Sequence, residues 1–159
     1  VQPTQLCEKI SMPSIDCTDE IDIEAPAELV FRTVADYAGW HDWMPMFQCE
    51  LIDASEIAPG VRVRHRYGPP RLTLNSFVRE VRKVIPSERI EESYIEGDLI
   101  GEGTWTFTAL PGGPRACYHC VVRSNTLMAH ISLLLAGEKG HKGVYKSLLE
   151  KLKARCEAR

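Results

Sequence analysis

Residues 144–156, VYKSLLEKLKARC, decide how this chain folds. Apolar side chains recur four positions apart in this stretch, and lysines with a glutamate fill the other face, a pattern that predicts an amphipathic helix. Residues 127–136 form an apolar run just upstream, and the Asn-Thr pair at 125–126 favours a helix start before it. Three glycines between 137 and 143 leave two interpretations open: a kink or break in one closing helix, or a loop between two shorter helices.

Working back from this helix, residues 47–125 read as consecutive strands. Runs rich in Val, Ile, Thr and aromatic residues alternate with charged residues, as in half-buried strands. Short connections join antiparallel neighbours, because parallel strands need long crossovers. The turn signals lie at 59–60, 68–70, 86–87, 97–98 and 111–114. Gly101 and Gly103, inside one run, predict a bulge or strong curvature.

A further strand is predicted from Ile15, ended by Ala25-Pro26, with two short helices after it, the second at 39–44. The chain is therefore expected to be an α+β protein of the helix-grip type. A curved antiparallel sheet of about six to seven strands would wrap around the long C-terminal helix, since a long sheet curls and must cover its concave face. We expect one domain at 14–159, preceded by an irregular lead-in at 1–13.

The composition argues against nucleic-acid binding and against insertion into a membrane. The 159 residues carry a formal net charge of -3, which offers no basic excess for nucleic acid. The longest apolar run spans ten residues, half of what a membrane span needs (about 20), so no stable membrane insertion is expected. Six dispersed cysteines and the lack of a secretory-type opening sequence favour reduced thiols and a cytoplasmic location.

Metal and cofactor motifs are missing from the sequence. Cys117 and Cys120 lie three apart in a predicted strand, where their side chains point to opposite faces, so a zinc site is not expected. The five histidines have no ligand-like spacing, and neither a nucleophile elbow nor a phosphate- or dinucleotide-binding glycine motif is present. We predict no metal and no cofactor.

The stretch 61–67 has a clean period of two. His65 and Tyr67 share a face with two valines, and three arginines occupy the other face. If the valines face inward, His65 and Tyr67 are polar groups on an apolar wall, as in ligand pockets. A bulge would reverse this and aim Arg66 inward. Trp43 shares a face with Trp40 on the second short helix, and either lines a cavity mouth or packs that helix on the sheet.

Three motifs carry a family resemblance. They are IEAPAELVF at 23–31 with DYAGWHDWMP at 36–45, GTWTF at 103–107 with LPGGPR at 110–115, and LLEKLK at 148–153. In this order they resemble the START/Bet v1-like superfamily, in particular its polyketide cyclase/dehydrase and coenzyme Q-binding group. The resemblance implies a helix-grip fold with an internal cavity. The same fold hosts lipid carriers, cyclases and interaction modules, so the chemistry stays open.

The leading hypothesis is binding, transport or sequestration of a hydrophobic small molecule such as a lipid, isoprenoid quinone or polyketide. The predicted cavity residues are Trp43, Val63, His65, Tyr67, Phe77, Tyr94, Trp105, Phe107, Tyr118, Met128, Ile131, Leu135 and Gly140. The absence of a nucleophile, metal or cofactor motif favours a protein that is not an enzyme.

Two alternatives are kept. One is a cofactor-independent polyketide aromatase/cyclase or dehydratase, in which cavity groups transfer protons. Its candidate residues are His65, Arg66, Tyr94 and Tyr118. The other is a ribosome- or chaperone-associated interaction module, for which the sequence indicates no specific protein partner.

Overall fold

The computed structural model of this chain describes residues 14–158, apart from the side chains of residues 137, 138 and 141. The expected lead-in at 1–13 lies outside the described residues. The helices and strands follow one another in the order predicted from the sequence. They are β1 (Ser14–Asp22), α1 (Ala27–Ala35), a 3-10 helix (Tyr37–Asp42), β2 (Phe47–Ile52), β3 (Arg62–Tyr67), β4 (Asn75–Ile85), β5 (Arg89–Gly97), β6 (Leu99–Leu110), β7 (Gly113–Ser124) and α2 (Leu127–Glu157).

The seven strands form one antiparallel sheet in the order β1-β7-β6-β5-β4-β3-β2. Neighbouring strands from β2 to β7 follow one another in the chain, as expected for short turns. The expected α+β helix-grip architecture is confirmed: the sheet is antiparallel, the short helices follow β1, and the long helix packs on the sheet.

The glycines of β6 allow curvature rather than a bulge. Pairing of β6 with β7 runs in unbroken register from Leu99 to Leu110. A Cβ at Gly101, where φ is +149°, would lie 2.0 Å from the carbonyl oxygen of Val121, so glycine lets the two backbones approach closely. The shifts of register lie in β4 instead, between Val78 and Arg79 and between Val81 and Lys83.

The short helices differ slightly from expectation. Pro26 is the N-cap of α1 rather than its first residue. The second helix is of the 3-10 type and begins at Tyr37, earlier than predicted, because the side chain of Asp36 accepts a hydrogen bond from the Gly39 amide and starts the turn there. Val30 and Val34 are fully buried and pack α1 against the core.

The closing element is one helix of 31 residues, so the interpretation of residues 137–143 as a loop is wrong. Thr126 caps it by accepting a hydrogen bond from the Ala129 amide at 3.2 Å. A Cβ at Gly140 would lie only 2.7 Å from the Cβ of Ala136, whereas side chains four apart on a straight helix lie about 5–6 Å apart. The glycine segment therefore marks a compressed turn within a continuous helix.

The main core lies between the C-terminal half of α2 and the concave face of the sheet. The helix contributes five buried side chains to it, Tyr145, Leu148, Leu149, Leu152 and Cys156. They recur at the helical spacing that the sequence predicts for residues 144–156.

Candidate functional site

An apolar cavity of about 290 Å³ lies beneath the N-terminal half of α2. The sheet side of its wall consists of Phe47, Tyr67, Asn75, Phe77 and Leu99. The helix side has four small residues, Ala129, Ser132, Ala136 and Gly140, together with Leu133 and Val144, and Tyr145 lies at the end. Small residues on the helix leave the space open, because larger side chains at these positions would project into it.

A buried ion pair lies next to the cavity and contacts it through Tyr145. Nη1 of Arg79 on β4 lies 3.2 Å from Oε2 of Glu92 on β5, and both side chains are fully buried. Nη2 of Arg79 donates to the Tyr145 hydroxyl at 2.7 Å, and the Tyr37 hydroxyl donates to Glu92. Tyr145 therefore joins a buried cation to the cavity wall.

Two further tyrosines complete this network. The hydroxyl oxygen of Tyr94 lies 2.7 Å from that of Tyr118 and 3.0 Å from that of Tyr145. The Arg79 guanidinium lies over the Tyr94 ring, 4.6 Å from its centroid, a cation–π contact that helps to compensate a buried charge. Gly103 makes the arrangement possible, because a Cβ there would lie 2.3 Å from the Tyr118 hydroxyl.

Burial sets the protonation states of the network. It raises the pKa of Tyr94, Tyr118 and Tyr145 above the ordinary value, so all three are neutral phenols near neutral pH. Burial also raises the pKa of Glu92, while Arg79 and then the hydrogen bond from Tyr37 lower it. Burial lowers the pKa of Arg79, but the neighbouring tyrosines and Glu92 outweigh this and hold it above its usual range.

His65 forms a neutral pair with Cys49. Nδ1 of His65 lies 3.2 Å from Sγ of Cys49, and burial lowers the pKa of this histidine well below its ordinary value. Burial raises the pKa of Cys49 to about 12, so the sulfur is a thiol and not an activated thiolate. The His65 ring stacks on Phe77 with 5.2 Å between centroids, and Phe77 lines the cavity.

Ten of the thirteen predicted cavity residues lie at the cavity or in the core near it. Tyr67, Phe77 and Gly140 line the cavity. Others are buried behind its wall in the core: Val63, His65, Tyr94, Trp105, Phe107 and Tyr118. Trp43 is half-buried and packs against Trp40, with 5.6 Å between ring centroids.

Four predicted residues point away from the interior. Arg66 is exposed, because β3 pairs in unbroken register with β2 and β4 and its valine face stays inward. Met128, Ile131 and Leu135 are 70%, 41% and 84% exposed. The cavity face of α2 lies at positions such as 129, 133 and 136, rotated from those three on the helix.

Sequence reasoning missed Arg79, Glu92 and Tyr145. A signal was present for the first two, since strand periodicity puts Arg79 on the inner face between Phe77 and Val81. The same period puts Glu92 between Ile90 and Tyr94. Opposite charges on the apolar faces of two adjacent strands indicate a buried ion pair.

The site is suited to holding an apolar molecule with a polar group at one end. Its wall is mostly apolar, and Tyr145, whose hydroxyl accepts a hydrogen bond from Arg79, lies at one end of it. Within residues 14–158 no three His, Cys, Asp or Glu side chains cluster as metal ligands. No helix in this part of the chain is long and apolar enough to cross a membrane.

Solved structures with this fold are numerous. A protein from Thermus thermophilus is 21% identical with a TM-score of 0.72, and the match covers 92% of this chain and 98% of that one. A START superfamily protein from Mycobacterium smegmatis is 15% identical with a TM-score of 0.71, covering 89% of this chain and 97% of that one. At these identities the likeness concerns the fold.

The di-domain ARO/CYC BexL is 22% identical with a TM-score of 0.67, and the match covers 92% of this chain and 51% of that longer one. No curated protein matches the chain. The family model described as "Polyketide cyclase / dehydrase and lipid transport" matches residues 14–157, almost the whole sequence. The chain therefore belongs to this family, and its fold is of the START/Bet v1-like helix-grip type.

Proposed function

We propose that this protein binds a hydrophobic small molecule, such as a lipid, an isoprenoid quinone or a polyketide, in the cavity under α2. The observation that carries the proposal is the apolar cavity of about 290 Å³ with Tyr145 and its buried Arg79 at one end. Small-molecule sites are typically about 300–1,000 Å³, mostly apolar, with a few polar groups that orient the ligand. A larger ligand would extend from the cavity past the small residues of the helix.

Transport or sequestration fits the protonation states better than catalysis does. The Cys49 thiol and the tyrosine phenols keep their protons at neutral pH, because burial raises their pKa values. Groups in these states donate hydrogen bonds and do not act as nucleophiles or strong bases. A cytoplasmic location belongs to the same proposal, supported by the reduced thiols of Cys49, Cys117 and Cys156, and cell fractionation tests it.

The first experiment uses two matched variants on one helix. Ala136 lines the cavity, whereas its neighbour Leu135 points to solvent. The purified chain is titrated with 1-anilinonaphthalene-8-sulfonate, palmitic acid and a short-tailed ubiquinone. We expect Ala136→Phe to weaken binding about tenfold or more, a change of about 1.4 kcal/mol, and Leu135→Phe to change it less than about twofold.

Native mass spectrometry of protein purified from its own host, followed by lipid extraction, identifies the ligand. Equal binding by Ala136→Phe and Leu135→Phe would place the ligand outside this cavity. The proposal is wrong if the chain binds none of the probes and carries no extractable molecule.

The second candidate function is a cofactor-independent cyclase or dehydratase. It is favoured by the contact from Arg79 through Tyr145 to the cavity, which could polarise a substrate carbonyl. Tyr94 and Tyr118 share this network, whereas Arg66 is on the outer face. A poly-β-carbonyl thioester is the test substrate. Loss of turnover in Tyr145→Phe with unchanged KM would establish this candidate, and absence of turnover in the unmodified chain would exclude it for that substrate.

A further inference from the structure

Two buried cysteines face each other across the edge of the sheet. Cys17 on β1 and Cys120 on β7 are direct partners in the antiparallel register, and their Sγ atoms are 3.6 Å apart. Cys17 is 6% exposed and Cys120 0%, so both lie on the inner face. Opposite residues of antiparallel strands have Cα atoms about 4.5–5.5 Å apart, within the range of about 4.4–6.8 Å that disulfides span.

The other described cysteines have different neighbours. Cys49 contacts His65, and Cys156 contacts Thr33 on α1. Cys117 lies on β7 opposite Glu20, three residues before Cys120 and on the outer face of the sheet. The chain thus offers a matched cysteine on the same strand that is not opposite a second thiol.

We propose that Cys17 and Cys120 are a covalent modification site, a cross-strand pair that a disulfide oxidant such as oxidised glutathione converts into a disulfide between β1 and β7. One thiolate attacks oxidised glutathione, forms a mixed disulfide and releases one reduced glutathione. The second thiolate then displaces the other glutathione. Two thiol protons are lost, one protein S–S bond forms, and one glutathione S–S bond is reduced.

The fold determines when this reaction occurs. Contact with Cys17, and then burial, raise the pKa of the Cys120 thiol well above its usual range, so the closed pair reacts slowly. β1 is an edge strand that pairs with β7 and is covered by α2, and local opening of this edge exposes both thiols. The pair therefore stays reduced in a reducing compartment and closes when the glutathione pool becomes oxidising.

The link would staple residues that are 103 apart in sequence. Closing so long a loop restricts the unfolded chain strongly. We expect the oxidised chain to melt roughly 5–10 °C above the reduced one.

The test exposes the full chain to oxidised glutathione in urea just below the unfolding transition. Remaining thiols are alkylated, and peptide mapping identifies the linked cysteines. We expect a loss of two hydrogens, a peptide joining Cys17 to Cys120, and a higher Tm in the unmodified chain and in Cys117→Ser. Cys17→Ala and Cys120→Ala should show neither the link nor the rise in Tm, with circular dichroism confirming that each is folded.

Full alkylation of both cysteines after oxidation would overturn the proposal. So would a dominant link from either residue to another cysteine, or a rise in Tm that survives in Cys17→Ala. If the alanine variants fail to fold, the unmodified chain still decides, because its peptide map and its Tm before and after reduction need no variant.

Discussion

The two halves of α2 lie on the same sheet but differ in what they cover. Residues 144–157 are gripped by the sheet, with Leu148 and Leu152 fully buried. Residues 127–143 cover the cavity with small side chains and expose large ones, such as Leu127 at 74% and Leu135 at 84%. The C-terminal half is amphipathic and fills its space, whereas the first ten residues of the N-terminal half are mostly apolar on both sides and leave space open. Within one helix, residues 144–157 therefore stabilise the fold, and residues 127–143 cover the cavity.

The boundary between these halves is marked by polar groups. Tyr145 is the residue at which the cavity ends and the packed core begins, and it holds Arg79 from the cavity side. Arg79 in turn donates a hydrogen bond to Glu92, which is also fully buried.

The largest effect is expected from Glu92→Gln, which leaves the Arg79 charge buried without its partner. Removing one member of a buried pair costs about 3–5 kcal/mol. The control is Glu50→Gln, which removes the partner of Arg64 in an exposed pair and should cost at most about 1 kcal/mol. Urea unfolding measures both. Similar losses in the two variants would mean that the buried pair is not held as described.

A comparable test contrasts the two halves of the helix directly. Leu148→Ala should lower the free energy of unfolding by about 2–5 kcal/mol, because it empties a packed position. Leu135→Ala, on the exposed side of the other half, should change it by less than about 0.5 kcal/mol. Chemical denaturation measures the two. A large loss at Leu135 would show that its side chain is covered in solution.

The smallest effect concerns pH and His65. Burial lowers the pKa of His65 in the folded chain, so the unfolded chain takes up the proton first as pH falls below the ordinary value of 6.5. The contribution is complete above that value and is lost as pH falls toward the folded pKa, by at most about 1.4 kcal/mol per pH unit.

His65→Phe should therefore lose less stability than the unmodified chain between about pH 7.5 and about pH 5.5, as measured by urea unfolding. The matched variant His41→Phe alters an exposed histidine and should keep the original slope. If His65→Phe and the unmodified chain lose equal stability over this interval, His65 is not held neutral in the fold.

The fold was predictable because its elements have regular periods. Strand alternation, turn residues and the apolar spacing of residues 144–156 each depend on neighbouring positions, and all agree with the structure. The glycines at 137–143 left it undecided whether the helix is continuous or broken by a loop. Glycine has a low helix propensity, and propensity does not take account of tertiary packing.

The cavity was harder to predict for two physical reasons. Residues 127–136 are apolar on every side, so periodicity cannot say which face of the helix turns inward, and Leu135 was chosen where Ala136 lines the wall. Arg79 and Glu92 are charged, and isolated charges are usually solvated. The period of two places each of them on the inner face of its strand, but the contact between them depends on the irregular register of β4 with β5, which the pattern of one strand does not give.

Gly103 has an evolutionary consequence. A side chain at this position would occupy the space of the Tyr118 hydroxyl, 2.3 Å from the Cβ, with the ring carbon that bears it at 3.0 Å. Positions 103 and 118 are therefore not free to vary independently: replacement of the glycine becomes tolerable once the tyrosine has become smaller. Such pairs deviate from additivity. Among descendants of this sequence, substitutions at the two sites should accumulate in a fixed order, the tyrosine changing first.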